Sequence, residues 1–152
     1  MPDDVQPDDL RVGDTPIRLL YAFLCREAGS ADRASYVYTG VSHFLLPEFY
    51  PSQFNHVIVM CWLLDRGPHR ARIELWRTLD NGSLGCRYVE VNIPAAQASS
   101  TMETYLSILK PEDMKLTITR DCILTLKIQL DEEERFNCPI MVQQVEPPPR
   151  IR

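Results

Sequence analysis

Between residues 17 and 145, apolar side chains recur at every second position in a series of short segments, and only one stretch carries helical spacing. Successive side chains of a strand point to opposite faces, so such a rhythm leaves one face for a core and the other for solvent. In residues 70–78, Ala71, Ile73 and Leu75 fall on one side and Arg72, Glu74 and Trp76 on the other. In 122–130, Leu124, Leu126, Ile128 and Leu130 share one face. A half-buried, mostly antiparallel sheet protein is predicted.

The remaining segments refine that reading. Residues 17–25 are apolar on both sides, which predicts a central or interior strand, and 55–64 is the most hydrophobic segment and should also be central. Residues 34–46 read as one strand bent at Gly40. Asn81-Gly82 between the alternating runs 70–78 and 84–93 is a strong hairpin signal. Pro94 ends the second run, and in 95–110 Met102, Tyr105, Leu106 and Leu109 stand at helical spacing, so this stretch is either a short amphipathic helix or an irregular crossover. The pattern returns at 114–119, 122–130 and 136–145, the last two joined by the acidic turn 131–134. The fold class expected is all-β: a two-sheet β-sandwich of seven to nine strands with one longer crossover.

Composition bounds the rest. A chain of 152 residues that is 45% hydrophobic and 24% charged is of ordinary globular make-up and can build one core without metal or disulfide support. One domain over 16–145 is expected, with residues 1–15 a flexible acidic arm and 146–152 an extended proline-rich tail. The longest apolar run, 57–64, is too short to span a bilayer, and residues 1–9 carry four aspartates and no apolar stretch, unlike a secretory signal; a cytoplasmic protein is expected. Five widely spaced cysteines (Cys25, Cys61, Cys86, Cys122 and Cys138) suit reduced thiols inside strands better than a disulfide framework. The net charge of −5 argues against broad attraction to nucleic acid or anionic lipid.

No group of residues has the spacing of a catalytic or metal site. His43, His56 and His69 form no local pair, no Gly-x-Ser-x-Gly elbow or glycine-rich phosphate loop occurs, and the acids at 131–134 read as a solvated turn. No catalytic residue, no metal ligand and no cofactor is therefore assigned, and the protein is expected not to be an enzyme. Two stretches carry candidate binding residues. Segment 44–54 places Phe44, Phe49, Tyr50 and Phe54 among two prolines between strands, as a core plug or as an exposed aromatic ridge for a protein partner. Arg66, Arg70, Arg72 and Arg77, together with His69 and the outward Trp76, form the densest cationic stretch, and Arg66, Arg70, Arg72 and Trp76 are the candidates there to hold phosphates and stack bases, although alternate positions of a solvated face normally carry charge.

The order of elements from residue 21 to 142 resembles a family of small, largely uncharacterised bacterial proteins read as β-sandwiches. The residues that carry the resemblance are 21–25, Thr39-Gly40-Val41, Pro47-Glu48-Phe49-Tyr50-Pro51, 57–63 and Asp80-Asn81-Gly82. The turn 131–134 departs from it by lacking a glycine. The resemblance implies the fold and carries over no functional residue.

The functional expectation is a non-enzymatic binding or assembly module acting through protein contacts, most simply as a homodimer, in a role suited to an accessory component of a bacterial defence or stress system. A nucleotide or nucleic-acid binder using the arginine face is the alternative, and a metal-dependent enzyme the third reading.

Overall fold

The computed structural model describes residues 16–30, 36–79, 81–97 and 102–145, so the expected arm and tail, at 1–15 and 146–152, lie outside the described residues. The described chain is nearly all strand. Its long strands are β1 (Arg18–Cys25), β6 (Val57–Leu63), β7 (His69–Thr78), β8 (Leu84–Ile93), β9 (Thr104–Leu109), β11 (Cys122–Leu130) and β12 (Glu133–Val142). Short ones are β2 (Glu27–Ser30), β3 (Tyr36–Thr39), β4 (Phe44–Leu45), β5 (Ser52–Gln53) and β10 (Thr117–Ile118), and one helical turn, α1, spans Pro111–Met114. Twelve strands among the described residues exceed the seven to nine expected, because β2 and β5 pair in stretches read as connections, 34–46 divides into β3 and β4, and β9 forms in the stretch 95–110.

The strands form a three-stranded sheet in the order β1-β6-β9, a five-stranded sheet β4-β12-β11-β7-β8, and the pairs β10-β5 and β2-β3. All pairings are antiparallel except β4 with β12. One buried cluster draws Ile58, Met60 and Trp62 from β6 and Ile73, Leu75, Leu124, Leu126 and Ile128 from β7 and β11, so the two larger sheets share a core. No described helix is long and apolar enough to cross a membrane.

Several local expectations match the structure. The β7–β8 hairpin closes with Thr78 opposite Leu84, and Gly82 takes φ +83° in its turn. In β11, Leu124, Leu126, Ile128 and Leu130 are all fully buried. Gly40 marks the break between β3 and β4 at φ +70°, a conformation that glycine adopts without a Cβ penalty. All five cysteines lie in strands as free thiols, Cys25 and Cys61 buried and the others half-buried.

Two expectations are overturned. Residues 95–110 hold no helix among those described, because 104–109 pair in full register with β6 as β9. Backbone pairing at an open edge of β6 outweighs the helical spacing of four apolar residues. The segment 17–25 is not central either: β1 pairs with β6 alone and forms a sheet edge. Only part of its second apolar face is covered, by Tyr38 of the β2–β3 pair, whose ring meets Phe23 edge-on at 4.9 Å, while Tyr21 stays exposed.

The β11–β12 turn holds Asp131 at φ +49° and Glu132 at φ +71°, both in the left-handed region that a two-residue hairpin of type I′ requires. Neither residue is glycine or asparagine, so the turn is strained. Glu132→Gly should raise stability by about 0.5–1 kcal/mol, read as a higher midpoint in urea, since the left-handed penalty of a Cβ exceeds the entropy that glycine loses. An unchanged or lower midpoint would contradict this.

Candidate functional site

The 44–54 connection divides between surface and core. Phe49 is 68% exposed and Phe44, on β4, is also exposed, whereas Phe54 is 3% exposed and belongs to the buried cluster. Phe54 is drawn in because its N–H donates to the Leu116 carbonyl at 2.8 Å while neighbouring Ser52 and Gln53 pair with β10. Phe54 is therefore a core plug and leaves the set of candidate contact residues. Tyr50 lies between: half-buried, it packs on the core and its hydroxyl donates to Asp121 Oδ1 at 2.6 Å. Burial, then this hydrogen bond and the aspartate charge, push the phenol pKa up. The same Oδ1 accepts the Gln144 N–H at 2.9 Å, which fixes the connection to the end of β12.

Phe44 belongs to an exposed apolar row, with the exposed His43 ring against it. Register places Phe44 beside Met141 and Met141 beside Ile123, and all three are exposed, so an uncharged row crosses β4, β12 and β11 on the outward face of the five-stranded sheet. Val41 and Leu46 are also exposed and line one cavity with Phe44, and Phe49 is exposed further along the connection. Alternation on a solvated face normally puts polar groups at such positions. The sequence reading missed Met141 and Ile123, which become neighbours of Phe44 only through the parallel β4–β12 pairing.

Beside this row lies a cavity of about 240 Å³, lined by β4 and β5 with Arg26, Val41, Ser42, Pro47, Asn55 and His56. His56 is 6% exposed, and its Nδ1 meets Asn55 Oδ1 at 2.8 Å. Burial, and after it the Arg26 charge, lower its pKa, so it stands as neutral imidazole at neutral pH.

The cationic stretch is brought together in part. Arg70, Arg72 and Trp76 face outward on β7, while Arg66 stands apart in the β6–β7 loop. The strand cations are engaged. Arg72 donates to Glu74 Oε2 at 3.0 Å and stacks over the Tyr88 ring at 3.7 Å, and Arg70 reaches Glu90 at 3.5 Å. Lys127 lies over Trp76 at 5.5 Å. Glu74, 4% exposed, sits at the centre of this face, and one of its oxygens has no hydrogen-bond partner. A phosphate approaching here meets a buried carboxylate and guanidinium groups already turned to other partners.

The histidines are scattered. His43 lies against Phe44, His56 lines the cavity, and His69 sits at the other end of β7 between two carboxylates, Asp65 at 2.7 Å and Asp131 at 2.5 Å. Asp65 also accepts the N–H groups of Gly67 and Ile17, so this cluster ties together β1, the β6–β7 loop and the β11–β12 turn. Among the described residues no group of three or more histidine, cysteine or acidic side chains is arranged to hold a metal ion. Comparison with protein-family models, with curated proteins and with solved structures finds no match to this chain.

Proposed function

We propose that the protein is a non-enzymatic binding or assembly module, a β-sandwich that recruits a second copy of itself or another protein through the surface around Phe44 and Phe49. The observation that carries this reading is the exposed apolar row Ile123-Met141-Phe44, with Leu46 and Phe49 exposed in the connection that follows Phe44, in a chain of net charge −5. Contiguous exposed apolar patches on soluble proteins mark contact surfaces, and aromatic residues within them anchor the contact. The sandwich reading is supported by the core shared between the two larger sheets. The arginine face is the weaker candidate because Arg70 and Arg72 already have acidic partners.

Self-association is the form most directly tested. Sedimentation equilibrium should give a dimer for the wild type and a monomer for the double variant Phe44→Ser, Phe49→Ser, with the thermal midpoint lower by no more than about 3 °C, since exposed substitutions lie within about 0.5 kcal/mol. A wild type that stays monomeric up to about 0.1 mM, weaker than a specific homodimer of micromolar affinity, rules out self-association.

A further inference from the structure

The chain carries a net charge of −5, yet among the described residues no acidic side chain lines the cavity beside β4, and the one formal charge in that lining is Arg26. Among the described residues no carboxylate pairs with that guanidinium. Its stem is set against the backbone at Gly40, where an added Cβ would come within 2.9 Å of Arg26 Cγ. The rest of the lining is apolar or neutral, with Leu45, Leu46 and Ile118 on one hand and Ser42, Gln53 and Asn55 on the other. At about 240 Å³ the space exceeds the roughly 150 Å³ that accommodates a benzene ring.

The cavity also adjoins an open strand edge. The carbonyls of His43, Leu45 and Pro47 accept hydrogen bonds from Met141, Gln143 and Val145, which occupies one side of this stretch. By alternation the backbone groups of Leu46 point the other way, and they have no partner among the described residues. Leu46 itself lines the cavity.

We propose that this cavity is a carboxylate-binding site that takes the C-terminal residue of an extended polypeptide, the carboxylate on Arg26, the last side chain against Leu45 and Ile118, and the preceding backbone along Leu46. Planar guanidinium matches a carboxylate in a bidentate pair, and a free edge supplies main-chain hydrogen bonds to an extended ligand. The proposal deepens the docking reading and rests on it for the source of the ligand, since it names what the partner presents.

Two probes test it by amide chemical-shift titration: N-acetyl-leucine, and the pentapeptide acetyl-Ala-Ala-Ala-Ala-Leu with a free C terminus. N-acetyl-leucine should bind at about 1 mM, the range open to a ligand of roughly a dozen heavy atoms, shifting the amides of Gly40, Ser42 and Leu46. The pentapeptide should bind about tenfold or more tightly through the edge. Arg26→Gln should weaken both at least tenfold with the spectrum otherwise unchanged, and Arg26→Lys should retain part of the binding through its charge. The proposal is overturned if neither probe shifts these amides, if the C-terminal amides bind as well as the acids, or if inorganic phosphate binds as tightly as the peptide. Equal affinity of the two probes makes the site one for small free acids and overturns the polypeptide part. Failure here with dimerisation still lost in the Phe44, Phe49 double variant leaves the docking reading standing, so the two fail separately.

Discussion

Phe54→Ala should destabilise the protein by about 3–5 kcal/mol, while Phe49→Ala, five residues away in the same connection, should change stability by less than about 0.5 kcal/mol. The contrast follows from exposure, 3% against 68%. Truncation of Phe54 removes a ring from the cluster that also holds Leu116, Ile118 and Leu45, and leaves a void that the β5–β10 pairing prevents from collapsing. Phe49 forfeits only surface. Urea unfolding of both variants reads the difference directly, and equal losses would show that the connection is packed as one unit.

Replacing His69 by alanine should cost about 2 kcal/mol at mildly acidic pH and progressively less in alkali. Hydrogen bonds between charged partners contribute about 1.5–3 kcal/mol each where solvent is excluded, and the exposure of Asp131 screens part of that here. Burial alone would lower the pKa of His69, but hydrogen bonding to Asp131 and Asp65 and their charges outweigh it, and the net shift is upward. Folding thus strengthens proton binding, so the stability His69 supplies is complete below the unfolded value of about 6.5 and is lost as pH rises through the higher folded value. Asp65 behaves in the opposite sense. Burial raises its pKa, yet the hydrogen bonds from His69, Gly67 and Ile17 bring the net shift below the ordinary carboxylate value. Its contribution is complete above about pH 4 and is lost on acidification through the lower folded value. The stability difference between wild type and His69→Ala should therefore peak between about pH 4 and 6.5. A difference that stays flat from pH 5 to 9 would falsify this ion-pair account.

The β7–β8 hairpin was legible because its turn residues and its alternation point to the same structure, and β11 because four leucine and isoleucine side chains repeat without interruption on one face. Where both faces of a segment are apolar the period blurs. In β9, Tyr105, Ser107 and Leu109 face one way and Leu106 and Ile108 the other, which leaves a pattern that fits a helix as readily as a strand. The same ambiguity put β1 in the middle of a sheet, when a ring from the β2–β3 pair covers part of its second face. At the candidate site, Phe44 and Phe49 were visible as excess aromatics in a connection, but nothing local separates them from Phe54, because which ring turns inward depends on Leu116, far along the chain. Asp131 was read only as part of a solvated acidic turn, and Asp65 was not singled out, for a similar reason: Asp131 stands 62 positions from His69 and meets it only when the β11–β12 turn folds over the start of β7.

Strand β4 is only two residues long; it pairs with the end of β12, and the carbonyls of His43, Leu45 and Pro47 accept from Met141, Gln143 and Val145 there and just beyond. Those bonds lie at the margin of the sheet, away from the leucines of β11, so they can break and re-form while the centre of the molecule stays shut. Such local opening should expose the amides of Met141, Gln143 and Val145 to exchange with solvent deuterium earlier than those of β7 or β11. Whatever occupies the adjoining space would close that breathing motion and slow exchange there first, a signature that can be measured before the occupant's chemical identity is established.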